Sequence, residues 1–126
     1  FRRVLFRSKY HAAHTWLKDA GNGEFEVGIT AHAQEELGDV VYVQPPNVGG
    51  EVAQGEACGV IESVKTAADL HAPASGVVTA VNAELADVPE RLNNAPYETW
   101  IFRMTLSDVT QLQTLLGAMA YEQSLG

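Results

Sequence analysis

The sequence is poor in cysteine, in catalytic motifs and in long apolar runs. It has one cysteine, Cys58, so no internal disulfide can form and nothing indicates a disulfide-stapled fold. No stretch approaches the roughly 18 consecutive apolar residues of a membrane span. We find no base–nucleophile motif and no second metal ligand spaced suitably for His32. We therefore expect no metal site, no membrane association and no enzyme activity of the chain's own.

Basic residues are also scarce, and half of the eight lie within the first nine residues. Residues 10–126 hold four basic and all sixteen acidic residues, which is a formal net charge of −12. A body this acidic argues against nucleic-acid binding, which needs Lys and Arg to contact phosphates. It suits a protein that docks on partners with basic patches, although solubility alone explains the charge equally well.

The first eight residues, FRRVLFRS, are basic and free of acids, unlike the rest of the chain. They resemble either a remnant of a mitochondrial transit peptide or a foreign extension. We therefore treat residues 1–8 as an N-terminal extension and residues 9–126 as one domain, which the chain length favours. We expect a bacterial cytoplasmic location, with the mitochondrial matrix as the alternative.

Short strand patterns separated by glycine and proline dominate the body of the chain. Alternation or apolar runs predict strands at 24–29, 40–43, 57–64, 76–81 and 100–106, with Trp100 spaced as a core residue of the last. Thr30 is placed to cap a short helix that ends at Gly38, and a turn of helix is expected near Glu84. The pattern predicts a small, mainly β sandwich or barrel covered by short helices.

Beyond the last predicted strand, apolar residues recur at helical spacing. Ser107 is placed to cap this predicted C-terminal helix, and Asp108 suits its N-terminal dipole. The apolar face of the helix would be formed by Val109, Leu112, Leu115, Leu116 and Met119.

Lys65 lies between two of these apolar strands, with Gly55 ten residues before it and Gly76 eleven after it. This near-symmetry predicts that Lys65 is at the tip of a hairpin formed by segments 57–64 and 76–81. Small residues follow the lysine, so an enzyme could grip and acylate its amine. A lysine on a protruding hairpin suits a group carrier, because its long stem can visit several active sites. A solvated turn lysine is the more frequent case, and spacing alone leaves both open.

The segment Glu62-Ser63-Val64-Lys65 resembles the lipoylation motif of the glycine cleavage H proteins. The resemblance extends in order over about residues 9–124. It includes VGIT at 27–30, HAQ at 32–34, LGDVV at 37–41 and HAPASG at 71–76. It implies a lipoyl/biotinyl-like barrel-sandwich hybrid, lipoate covalently attached to Lys65, and a monomeric carrier. Biotin carriers place methionine on both sides of the lysine, which Val64 and Thr66 do not match.

The resemblance also implies a mechanism in which the chain is a substrate of other enzymes. Glycine decarboxylase (P protein) loads an aminomethyl group onto the lipoyl arm. Aminomethyltransferase (T protein) passes the carbon to tetrahydrofolate and releases ammonia. Dihydrolipoyl dehydrogenase (L protein) reoxidises the arm by thiol–disulfide exchange, and separate enzymes attach the lipoate. The alternative is an H-like protein that acts as a lipoate relay or an interaction module.

Three further residues receive roles from the resemblance. Asp69 matches an acid that contacts the arm, although a residue closing the hairpin turn is its alternative reading. Glu62 is assigned to recognition by lipoate-attaching enzymes, or else is an outward strand residue. The family's Ser-His-Glu-Trp segment reads Ala13-His14-Thr15-Trp16 here. Thr15 thus replaces a glutamate at the arm-docking position, which predicts weaker sheltering of the loaded arm.

The remaining histidines and the cysteine are expected to be structural. We interpret His32 as a capping or packing residue and His14 as a surface residue. Cys58 lacks a histidine partner in any nucleophile motif, and we interpret it as a small buried strand residue.

Overall fold

The computed structural model describes residues 8–10, 14–108, 110–111 and 115, with side chains from His14 onward. The strands are β1 Ser8–Tyr10, β2 Thr15–Gly21, β3 Glu24–Ile29, β4 Val40–Gln44, β5 Glu51–Val52, β6 Ala57–Ser63, β7 Ala67–His71, β8 Gly76–Val81 and β9 Phe102–Leu106. The helices are α1 Ala31–Leu37, α2 Glu84–Asp87 and α3 Arg91–Asn94. No helix in these ranges is long and apolar enough to cross a membrane.

The strands form two antiparallel sheets that share one core. The larger sheet has the order β1-β2-β3-β9-β8-β5, and the smaller has the order β4-β6-β7. Leu17 and Phe102 from the larger sheet and Ile61 and Leu70 from the smaller one belong to the same buried cluster. The mainly β prediction is therefore confirmed, with apolar side chains of both sheets buried together.

Several elements form where the sequence predicts them. Strand β3 buries Val27 and Ile29 on one face, as its alternation requires. The Thr30 hydroxyl accepts a hydrogen bond from the Ala33 N–H at 3.2 Å and caps α1. Gly38 ends α1 with a φ of 78°, a left-handed conformation that favours glycine. Strands β4, β6 and β8 lie in the predicted segments.

The predicted hairpin between segments 57–64 and 76–81 is wrong in its second strand. Strand β6 turns directly into β7, and β8 belongs to the other sheet. The sequence of β7, Ala67–His71, is too short and too rich in small and polar residues to show a strand pattern. Lys65 nevertheless lies at a hairpin tip, because the turn itself was placed correctly.

The prediction that Trp100 is a core residue is also wrong. Strand β9 begins at Phe102, and Trp100 is only half-buried. The Arg103 guanidinium stacks over its ring at 4.4 Å. The core position belongs to Ile101, which is fully buried and donates its backbone N–H to the Val27 carbonyl.

The turn that follows β9 is capped by Asp108, one residue later than the predicted Ser107. The Asp108 carboxylate, rather than the Ser107 hydroxyl, accepts a hydrogen bond from the Thr110 N–H at 3.0 Å. The hydroxyl and N–H of Thr110 together lower the pKa of Asp108. Apart from the buried Leu115, the predicted face of the C-terminal helix lies outside the described residues.

Candidate functional site

The tip of the β6–β7 hairpin is a two-residue turn formed by Val64 and Lys65. Ser63 and Thr66 close it, with the Ser63 N–H donating to the Thr66 carbonyl at 2.8 Å. The Ser63 hydroxyl oxygen also accepts the N–H groups of Lys65 and Thr66, at 3.2 and 3.1 Å. One serine side chain thus satisfies the backbone of the tip and holds the lysine in a defined position.

Glu62 lies one residue before this turn and points away from the core. It pairs with Ala67 across the hairpin and with Tyr42 of β4 on its other side, and its side chain is exposed. A carboxylate at this position is available to an enzyme that approaches the tip.

Lys65 is exposed, and its stem leans toward the end of helix α1. A Cβ added to Gly38 would lie 3.0 Å from the Lys65 Cε and 3.7 Å from its Nζ. The other three described cationic side chains, Lys18, Arg91 and Arg103, each have a carboxylate within 4.0 Å. Among the described side chains, Lys65 is the one basic residue outside such an ion pair, so its amine is open to acylation.

A cavity of about 230 Å³ lies beside the hairpin and brings together residues that are far apart in the sequence. It is lined by His14, Thr15, Ile29, Ala33, Glu36, Leu37, Ile61, Thr66, Ala68, Asp69 and Leu70. The lining includes both predicted arm contacts, Thr15 and Asp69, and its other members are mainly apolar. Leu37 and Thr66 are the chain neighbours of Gly38 and Lys65, so the lysine is next to residues that line this cavity.

The two polar residues differ in exposure. Thr15 is 2% exposed, and its hydroxyl has no hydrogen-bond partner among the described residues. A buried hydroxyl left unsatisfied costs free energy, so the cavity is suited to a ligand with a polar group. Asp69 is exposed, lies within β7 and pairs with Val60 of β6. Its alternative reading as the residue closing the turn is therefore wrong, since Ser63 closes it.

Asn93 connects the helix end to the sheet that bears the hairpin. Its amide donates to the Gly38 carbonyl at 2.8 Å and to the Gln34 side chain at 3.0 Å. Its oxygen accepts the Val40 N–H at 2.9 Å. The neighbouring Asp39 carbonyl accepts the Val64 N–H at 3.0 Å, so this set of hydrogen bonds around Asn93 extends to the hairpin tip.

The predicted packing role of His32 fits its contact with His14, whereas the expectation that no second metal ligand is spaced suitably for His32 overlooked Glu36. His14 is half-buried, and its ring lies 4.5 Å from that of His32. The His32 Nε2 lies 3.4 Å from a Glu36 carboxylate oxygen one helical turn later. One ligand atom from each of His14, His32 and Glu36 lies within 4.8 Å of the others. The i, i+4 spacing of His32 and Glu36 was visible in the sequence, but the arrival of His14 from β2 was not.

Cys58 is half-buried on β6 and packs against the core, which fits its predicted structural role. Burial, and secondarily the Glu56 carboxylate, raise the pKa of its thiol to about 11. The thiol is therefore a poor nucleophile at neutral pH, and it stays outside the candidate site.

Two antiparallel sheets around one core, with a lysine on a tight hairpin turn, define a barrel-sandwich protein of the lipoyl/biotinyl-like class. A family model described as "Glycine cleavage H-protein" matches residues 8–126. The chain belongs to this family, which confirms the resemblance of its motifs.

Individual relatives agree with this assignment. The chain is 56% identical over 115 residues to the glycine cleavage system H protein of Deinococcus radiodurans, covering 90% of each chain. It is 49% identical over 118 residues to that of Idiomarina loihiensis, covering 93% of this chain and 92% of the relative. The crystal structure of the Mycobacterium marinum H protein matches with a TM-score of 0.83 and 38% identity, covering 96% of this chain and 98% of that one. The barrel-sandwich prediction is therefore confirmed.

Proposed function

We propose that this chain carries lipoate on Lys65 and shuttles the aminomethyl group of glycine between the enzymes of the glycine cleavage system. The observation that carries the proposal is the position of Lys65. It is exposed at the tip of a tight turn, its amine is outside any described ion pair, and its neighbour Thr66 lines the cavity. Membership of the H-protein family supplies the cofactor, because that family implies lipoate attachment.

The cavity fits a lipoyl arm in its chemistry. Ile29, Ile61 and Leu70 offer apolar surface for the methylene chain, while Thr15 and Asp69 offer polar atoms. The buried hydroxyl of Thr15 in particular needs a partner that the described residues do not supply. The lipoyl group would supply a disulfide that accepts the aminomethyl group, which the chain's own residues do not provide.

Individual residues of the chain have separate roles in attaching and holding the lipoyl arm. Lys65 forms the amide with lipoate, Ser63 fixes the turn, and Glu62 helps attaching enzymes to recognise the tip. Asp69 lines the cavity, where its carboxylate would pair with a cationic group on the arm. Thr15 contributes a hydroxyl where the family has a carboxylate, so loaded cargo is held less firmly here.

The same proposal covers partners and setting. The chain is a monomeric substrate of the P, T and L proteins and of lipoate-attaching enzymes, without chemistry of its own. Because the relatives named above are bacterial, we propose the cytoplasm of a bacterium as its location.

Reconstitution with purified partners tests the proposal. Lipoylated chain, P protein and glycine should release carbon dioxide, and adding T protein with tetrahydrofolate should release ammonia. The alternative function, a lipoate relay, is favoured by the replacement at Thr15. A relay would accept lipoate and pass it to other lipoyl proteins yet fail to accept an aminomethyl group. That result would overturn the carrier role in glycine cleavage.

A further inference from the structure

Three side chains with metal-binding chemistry meet beside the cavity. His32 and Glu36 project from the same side of α1, one turn apart, and His14 approaches from the start of β2. His14 and Glu36 also line the cavity, so the cluster borders the same cavity as Thr15 and Asp69. We propose that His14, His32 and Glu36 form a binding site for a zinc-class divalent transition metal.

The donor set selects this class of metal. Two imidazole nitrogens and one carboxylate oxygen suit Zn²⁺, Co²⁺, Ni²⁺ or Cu²⁺, whereas Ca²⁺ and Mg²⁺ prefer oxygen alone. Three protein ligands leave a fourth position open, as in zinc sites that bind water or a substrate group. Here that position would be next to the cavity, within reach of water or of a ligand lying there.

The distances suit a tetrahedral site. With bonds of about 2.1 Å to the metal, neighbouring ligand atoms in a tetrahedron lie about 3.4 Å apart. The His32 Nε2 and the Glu36 oxygen already have this separation, at 3.4 Å. All three ligand atoms lie within 4.8 Å of one another, so a bound metal would draw them together by at most about 1.4 Å.

The backbone around His14 holds it in an unusual conformation. His14 has a φ of 67°, in the left-handed region that residues other than glycine rarely adopt. Its carbonyl accepts the N–H of Thr30 at 3.0 Å, the same residue that caps α1. Left-handed residues held this way concentrate at functional sites, because the surrounding structure must offset the strain.

The test measures binding of Zn²⁺ and Co²⁺ to the full chain, without a histidine tag and before lipoylation, so that no arm thiol contributes. Three variants remove one ligand each: His14→Asn, which tolerates the positive φ, His32→Ala and Glu36→Gln. Two matched controls change His71→Asn on β7 and Glu35→Gln on α1. Circular dichroism verifies that each variant is folded.

We expect one ion per chain, and Co²⁺ should give the intense visible absorption of a tetrahedral or five-coordinate site. Each ligand variant should weaken binding by at least about tenfold, the loss that even outer residues of metal sites produce. The controls should bind like the wild type. Folded ligand variants that bind as tightly as the wild type, or controls that weaken binding equally, would overturn the site. Because lipoate is absent, either outcome is independent of the proposed carrier function.

Discussion

At the scale of single residues, the most informative feature of the cavity beside Lys65 is the Thr15 hydroxyl, which has no hydrogen-bond partner among the described residues. This hydroxyl is buried, in a position where the motif comparison predicts a carboxylate. Motif comparison predicted that Thr15 and Asp69 are arm contacts, and the structure places both on one cavity. The burial of Thr15 was not predictable, because it depends on how β2 packs against the neighbouring elements.

Changing Thr15→Glu should restore a charge that pairs with loaded cargo. We expect release of ammonia and formaldehyde from the loaded protein to slow by about tenfold, the effect of a charged hydrogen bond worth roughly 1.4 kcal/mol. The measurement follows both products after loading by P protein and glycine. Thr15→Gln is the matched control, because it adds similar volume without the charge. Equal release from wild type and Thr15→Glu would show that the position does not shelter cargo.

Cys58 should be slow to react in the folded protein. Its pKa of about 11, against an ordinary 9.0, makes the thiolate about 100-fold rarer near pH 8, and it is the thiolate that attacks iodoacetamide and displaces iodide. Alkylation measured by mass should therefore be about 100-fold slower in the folded chain than in the chain unfolded by urea.

The raised pKa of Cys58 also determines how the stability of the fold changes with pH. The unfolded chain ionises first as pH rises, so the neutral thiol stabilises the fold below about pH 9 and this contribution is lost toward pH 11. Folded and unfolded chains that are alkylated at the same rate would contradict the burial of this thiol.

At the scale of elements, the hairpin was predicted from a correct turn and an incorrect partner strand. The spacing of Gly55 and Gly76 around Lys65 located the tip, but it also suggested segment 76–81 as the returning strand. The true partner is β7, whose residues show no periodic pattern. Its pairing with β6, rather than its own composition, makes it a strand, so the sequence alone did not reveal it. Glycine spacing indicates where turns occur and does not show which strands pair.

The Ser63 hydroxyl should be needed for efficient lipoate attachment. Ser63→Ala removes the acceptor for two backbone N–H groups at the tip, so Lys65 should be presented less rigidly. We expect a loss of stability of about 1 kcal/mol and a several-fold lower kcat/KM for lipoate attachment. Ser107→Ala, an exposed serine outside the hairpin, is the control. Unchanged attachment kinetics would mean that the turn is fixed by its backbone alone.

Asn93 should be the main support of the junction between α1, β4 and the hairpin. Asn93→Ala leaves the Val40 N–H and the Gly38 carbonyl without their side-chain partner. The expected loss in the free energy of unfolding is about 2 kcal/mol, measured by urea denaturation. Asn94→Ala, at an exposed position of the same helix, should change it little. Similar free energies of unfolding for the two variants would show that the Asn93 hydrogen bonds do not stabilise this junction.

At the scale of the whole molecule, fold class and family could be predicted from the sequence more fully than the site. Short strands with glycine and proline turns indicated a mainly β protein, and the motifs along the chain indicated the family. The His14–His32–Glu36 cluster could not be predicted in full, since only the fold brings β2 to α1. The acidic body bears one described basic side chain outside an ion pair, Lys65, which is the residue that the proposed function requires.

The most direct test of the account is the site of lipoate attachment. The unmodified full chain is treated with a lipoate ligase, lipoate and ATP, and then studied by intact mass and peptide mapping. The chain has three lysines, Lys9, Lys18 and Lys65, so the assignment is unambiguous. We predict one lipoyl group on Lys65, none on Lys65→Arg and an unchanged result for Lys18→Arg. A lipoyl group on Lys9 or Lys18, or modification that persists in Lys65→Arg, would contradict this prediction.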